Sequence, residues 1–103
     1  MEVLQSDILS IGPKIVEFEK TIADYIGTKH AIGVNSGTSG LHCLIRAMEI
    51  QKGDEVITTP FSFIASTNCF LFEGAKPVFA DIDEKTYNIN LEQVEGRITS
   101  NTK

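Results

Sequence analysis

Short runs that read as strand alternate with longer runs that read as helix along the whole of this 103-residue chain. That alternation restricts the fold more than any other feature. Gly12-Pro13 opens a first helix, and Ile15, Phe18, Ile22 and Ile26 recur at helical spacing until Gly27 stops it. Ala31 to Val34 is expected as a first short strand. Leu41, Leu44, Ile45 and Met48 then mark one face of a second helix, ended by Gly53. Glu55 to Thr59 reads as a second strand stopped by Pro60, Phe63 to Phe72 as a third helix ending at Gly74, and Pro77 to Ile82 as a third strand. Leu91, Val94 and Ile98 begin a fourth helix. Short strands separated by helices imply crossover connections and a parallel sheet with helices on its faces, an α/β layered fold. In such sheets ligands bind beyond the carboxyl ends of the strands, where the following helices begin.

Composition narrows the partners. Nine basic residues against 14 acidic ones give a net charge of −5, and the basic ones are scattered, so nothing here suits a nucleic-acid backbone or an anionic membrane. The start, Met1-Glu2-Val3-Leu4-Gln5-Ser6-Asp7, carries acids where a signal peptide carries bases, and no run approaches the length of a transmembrane helix. A cytoplasmic location is the expectation. Cys43 and Cys69 have no CxxC or His pair near them, so they are read as two buried free thiols and not as a metal site or a disulfide framework. At 103 residues the chain is one small domain or a piece of a larger one, and 42% hydrophobic content is enough to build a core.

One stretch falls at the ligand edge. "HAIGVNSGTSGLHCL", residues 30 to 44, passes from an apolar run into Asn35-Ser36-Gly37-Thr38-Ser39-Gly40 and then into a helical pattern. If the second helix starts near Thr38, the N–H groups of Gly37, Thr38 and Ser39 lack intrahelical acceptors and sit at the positive end of the helix dipole. Glycines allow close approach, and three hydroxyls add donors, so the cluster suits a phosphate. The competing reading is a helix cap, which needs one hydroxyl and no ligand. The spacing matches neither GxxxxGK[ST] nor GxGxxG, so a nucleoside triphosphate is not the first expectation.

The run from "FEKTIADYIGTKHAIGVNSGTSG" through "GDEVITTPFSF" to "PVFADID" closely resembles the amino-terminal part of the DegT/StrS-type nucleotide-sugar aminotransferases, which share the pyridoxal-phosphate fold of aspartate aminotransferase. The resemblance extends from about Gly12 to the last residue and rests on the combination of elements. It implies the three-layer α/β/α large domain with a mostly parallel sheet. Residues 1–29 would be a leading helix region and 30–103 the alternating part that carries the cofactor contacts. It implies pyridoxal 5′-phosphate as cofactor, with Gly37, Thr38 and Ser39 on its phosphate and Phe63 stacked on its ring. From the residues alone the favoured reading of Phe63 is the first core residue of the third helix, in a segment also holding Phe70 and Phe72, although an aromatic face at the strand's carboxyl end is compatible with stacking; the resemblance favours stacking.

Asp81 and Asp83 look like an acid/base pair, yet in the resembling enzymes the pyridine partner is an aspartate further along the chain. A local use, ending the strand and capping the turn through Glu84 and Lys85, is expected instead. His30 and His42 are read as structural or solvent-facing. No metal site is expected. Of the seven lysines, Lys29, Lys52 and Lys76 precede strands, Lys14 and Lys20 lie in the first helix, Lys103 ends the chain, and Lys85 has Asp83 and Glu84 beside it. None is suited to be the Schiff-base lysine that this cofactor chemistry needs. By the resemblance that lysine lies beyond residue 103, so the chain is expected to be a truncated, inactive piece of a larger enzyme. The enzyme would move an amino group, with glutamate as the expected donor, onto a keto carbon of a nucleotide-linked sugar in polysaccharide or secondary-metabolite synthesis, as a homodimer. The alternatives are a sugar dehydratase of the same family and a self-contained phosphate-binding or flavodoxin-like module.

Overall fold

Proline at the first helical position and glycine just past the last fix the ends of α1, Pro13–Ile26. Gly27 takes the left-handed conformation at φ 81°, and its N–H and that of Thr28 both donate to Ala23 O, at 2.9 and 3.0 Å. A side chain would be strained there. The computed structural model describes residues 3–103, which divide into two units, one ending at Asn35 and one spanning Ser36–Lys103. The first unit holds α1, preceded by a short 3-10 turn at Val3–Gln5. The run 31–34, expected as a strand, joins no ladder among the described residues. Extended backbone becomes a strand only when a neighbour takes up its N–H and C=O groups. Here the Gly33 N–H donates instead to the Glu19 carboxylate at 2.7 Å.

The second unit begins with α2, Gly37–Ala47. The helix stops at Met48, well before the expected Gly53, because Glu49 adopts the left-handed conformation at φ 56°. Glu49 N–H donates to Arg46 O at 3.0 Å and Ile50 N–H to Ile45 O at 3.3 Å, the paired bonds that close a helix on a left-handed residue. Ile50 is buried, and Ile45 packs against the same core. That apolar contact offsets the strain at Glu49. Gly53, also left-handed at φ 105°, serves the turn into the sheet.

Strand β1, Glu55–Thr58, helix α3, Ala65–Leu71, and strand β2, Lys76–Phe79, form a parallel β-α-β unit, with Glu55 opposite Lys76 and Thr58 opposite Phe79. Both strands are shorter than expected, and α3 starts two residues after Phe63. Phe70, 1% exposed, is the largest fully buried side chain and packs with Ile50, Cys69 and Ala75. Glu55 is buried at the amino end of β1, where its carboxylate accepts Lys76 Nζ at 2.8 Å and the Thr99 hydroxyl at 2.7 Å. The segment 99–103 lies along it: Glu55 N–H donates to Asn101 O at 2.8 Å and Lys103 N–H to Glu55 O at 3.0 Å. Ile82, expected inside the third strand, instead pairs antiparallel with Ile89. Asn90 then caps α4, Leu91–Glu95, by accepting the Gln93 N–H at 3.2 Å. Of the two thiols expected to be buried, Cys69 is, but Cys43 is exposed, because it lies on the outer side of α2. Among the described residues no helix is long and apolar enough to cross a membrane.

Candidate functional site

The small-residue cluster becomes the first turn of α2. Ser36 is extended at φ −160° and ψ 158° and caps the helix, its hydroxyl accepting the Ser39 N–H at 3.1 Å and lying 3.0 Å from the Ser39 hydroxyl. Its carbonyl accepts the Gly40 N–H at 3.1 Å. The cap accounts for one of the three N–H groups expected to face an anion. The other two, on Gly37 and Thr38, find no acceptor among the described residues, and neither does the Thr38 hydroxyl. Capping does not use up the cluster: the Ser36 hydroxyl and the Ser39 N–H serve the helix, while two N–H groups and one hydroxyl have no partner among the described residues. A Cβ placed on Gly37 meets nothing within 4 Å. A phosphate fits that donor set.

Phe63 lies in the turn between β1 and α3, beyond the carboxyl end of β1, and is 75% exposed. Its ring pairs with no other ring among the described residues. The core reading is thus corrected, since Phe70 fills the core and Phe63 leaves a flat face open. The turn is braced by Phe61 N–H donating to the Thr59 hydroxyl at 3.1 Å, by Ser62 and Ser66 hydroxyls 2.9 Å apart, and by Ser66 N–H donating to Phe63 O at 3.0 Å.

Sequence reasoning missed the link between α2 and the end of α3. His42 of α2 meets Glu73, just past α3, with Nε2 and Oε1 2.5 Å apart, and Arg46 Nη1 lies 3.5 Å from the same oxygen. Phe72 packs edge-on against the imidazole at 5.2 Å. The signal was the i, i+4 spacing of His42 and Arg46, which puts two basic groups on one helix face. Asp83 takes the local role expected of it. Its Oδ1 accepts the N–H groups of Lys85 and Thr86 and the Thr86 hydroxyl, which hold its carboxyl below the usual carboxylate range, Thr86 contributing most. Asp81 Oδ1 accepts the Ile82 N–H at 2.8 Å. Lys76 is engaged with Glu55 at the opposite end of the sheet from Phe63. Among the described residues no cluster of His, Cys, Asp or Glu could hold a metal ion.

Comparison with known proteins is consistent throughout the chain. The spore coat polysaccharide biosynthesis protein SpsC of Bacillus subtilis is 48% identical over 102 residues, 99% of this chain and 26% of SpsC. GDP-perosamine synthase of Caulobacter vibrioides is 49% identical over 96 residues, 93% of this chain and 26% of its own. The PLP form of Spr1654 from Streptococcus pneumoniae superimposes with a TM-score of 0.94 at 33% identity, covering 99% of this chain and 26% of that one. The chain spans about a quarter of the length of these relatives. The profile of the DegT/DnrJ/EryC1/StrS aminotransferase family matches residues 1–103.

Proposed function

Because the chain belongs to the DegT/DnrJ/EryC1/StrS aminotransferase family, we propose that the enzyme containing it transfers an amino group, from glutamate as donor, to a keto carbon of a nucleotide-linked sugar, with pyridoxal 5′-phosphate as cofactor. The observation that carries this reading is the pair of N–H groups on Gly37 and Thr38, left without acceptors at the start of α2 in a chain of this family. When bound, the cofactor supplies the reactive aldehyde and the electron-withdrawing ring through which amino groups are exchanged. The chain's own residues bind and orient it. The Gly37 and Thr38 N–H groups and the Thr38 hydroxyl hold the phosphate, with the helix dipole adding to the attraction. Ser39 keeps the turn in shape through its bonds to Ser36, and its hydroxyl reaches the phosphate on this reading by exchanging its Ser36 partner. Phe63 covers one face of the ring, which its exposed position beyond β1 allows.

None of the seven lysines is placed for the covalent role, so the catalytic lysine and the acid that partners the pyridine nitrogen are supplied from outside residues 1–103. Residues 1–103 alone are catalytically inactive on this reading, and the working enzyme is a cytoplasmic homodimer. The similarity to a GDP-perosamine synthase and to a spore coat polysaccharide biosynthesis protein favours a product destined for a glycan. The test is to purify the full-length protein, record cofactor absorbance, and supply glutamate with a nucleotide-linked keto sugar while following amino-sugar formation by mass spectrometry. Cofactor absorbance together with a new amine on the sugar is expected. A protein that holds no cofactor, or one that holds it and forms no amine, overturns the reading.

A further inference from the structure

Three aromatic rings stand beyond the carboxyl ends of the strands, and the cofactor reading uses one. Phe61 and Tyr87 are the other two, 63% and 65% exposed, with ring centroids 6.2 Å apart and planes inclined by 28°. They come from different loops. Phe61 follows β1, and Tyr87 lies in the loop after β2, so the pair spans the mouth of the two-stranded sheet. Tyr87 is also held against its backbone preference. Its φ is 58°, a left-handed conformation that glycine or asparagine adopts freely and a bulky aromatic residue rarely does.

The surrounding turn imposes that conformation. Asp83 Oδ1 gathers the N–H groups of Lys85 and Thr86 at 3.1 and 2.9 Å and the Thr86 hydroxyl at 3.0 Å. Tyr87 N–H donates to Asp83 O and Asp83 N–H to Asn88 O, both at 2.8 Å, while the Ile82–Ile89 bridge closes the base of the turn. Folding alone is better served by asparagine or glycine at position 87. Tyr87 instead holds that conformation with its ring exposed and stacked on a second exposed ring, and a strained backbone that presents a side chain in this way is a pointer to function.

We propose that Phe61 and Tyr87 form an aromatic ledge that stacks against the base of the nucleotide-linked substrate. The proposal rests on the nucleotide-sugar reading above. With Phe63 assigned to the cofactor ring, the one remaining aromatic ring in the ligand set is the base. Two side chains presenting near-parallel faces recognise a flat ring by stacking, with little demand for one particular base.

The experiment uses the full-length protein and two kinds of probe: uridine and guanosine diphosphates, which carry a base, and glucose 1-phosphate, which does not. Tyr87→Asn removes the ring and leaves a residue suited to the left-handed backbone, and Phe61→Leu keeps apolar bulk without a flat face. Each is expected to weaken nucleoside diphosphate binding by about tenfold and to leave glucose 1-phosphate binding and cofactor absorbance unchanged. Tyr87→Phe keeps the ring and is expected to bind as the wild type does. Independently of any variant, the Tyr87 ring proton resonances of the wild type are expected to move upfield on titration with uridine diphosphate. Unchanged nucleotide affinity in both variants, equal loss for glucose 1-phosphate, no binding of either nucleoside diphosphate by the wild type, or a stationary Tyr87 signal would each overturn the ledge. Wild-type cofactor absorbance and amino transfer report on the function separately, so the ledge can fail while the aminotransferase reading stands.

Discussion

Replacing Thr38 by proline separates the two uses of the α2 start. The first turn of a helix has no intrahelical acceptor for its N–H groups, so proline there removes a donor without breaking a helix bond. Gly37, the most permissive residue available, absorbs the restriction that proline places on its predecessor. The lost group is an N–H with no acceptor among the described residues, one of the two assigned to the phosphate. A hydrogen bond to a charged group contributes about 1.5–3 kcal/mol, so the cofactor dissociation constant should rise by roughly 10- to 150-fold. Ser36→Ala acts on the other use: it strips the Ser39 N–H of its 3.1 Å acceptor and should cost about 1 kcal/mol of stability, with a smaller effect on the cofactor. Cys43→Ser, exposed on the same helix, is the control. The assay is titration of cofactor-free full-length protein with pyridoxal 5′-phosphate, read by absorbance after gel filtration. If Thr38→Pro and Cys43→Ser retain cofactor equally, the N–H assignment is wrong. If Ser36→Ala loses more cofactor than Thr38→Pro, the hydroxyl and not the backbone holds the anion.

Phe63→Ala should release cofactor while Phe63→Trp keeps it, since the flat face contributes on the order of 1 kcal/mol beyond burial; equal retention in that absorbance assay would remove the stacking role. Glu49→Gly should hold or slightly raise the urea midpoint, because relief of the φ 56° strain, about 1–2 kcal/mol, offsets the roughly 0.5–1 kcal/mol entropic cost of glycine, and a midpoint lowered by the full glycine cost would show that Glu49 is not strained. Hydrogen bonds from Lys76 and then Thr99 hold the Glu55 carboxyl below its ordinary value of 4.5 in the folded chain. The stability this contributes is complete above that value and is lost as pH falls through the lower folded one, so Glu55→Gln should flatten the acid limb of urea midpoint against pH. Parallel acid limbs in wild type and variant would refute it.

The parts of the fold that were legible in the sequence are those fixed by local chemistry. Pro13 and Gly27 bound α1 because each acts through its own backbone restriction, and Ser36 caps α2 through an atom three residues from its partner. The parallel pairing of β1 and β2 followed from the helix between them. What failed to show depends on residues distant in sequence. The run 31–34 has strand composition, yet a ladder needs a neighbour that composition cannot supply. The end of α2 was assigned to a glycine, the residue that favours a left-handed turn, whereas the buried Ile50 and its partner Ile45 drew Glu49 into that conformation four residues earlier. His42 and Glu73 are 31 positions apart, so each looked like an isolated surface group.

The aromatic residues between β1 and β2 show why the site was only half legible. Phe61, Phe63, Phe70 and Phe72 are chemically identical and nearly adjacent, and pattern alone makes all four candidates for the core. The structure separates them by element. α3 begins at Ala65, and its inward side takes Phe70 to 1% exposure against Ile50 and Ala75. Phe61 and Phe63 precede the first helical turn, in a bend braced by Thr59, Ser62 and Ser66 that turns them outward at the strand's carboxyl end. Phe72, just past the last turn, packs on His42. A shift of the α3 start by two residues to Phe63 would put Asn68 where Phe70 now sits. The small hydroxyl residues Thr59, Ser62 and Ser66, which brace the bend ahead of α3, therefore bear on which of these rings are exposed as much as the phenylalanines themselves do.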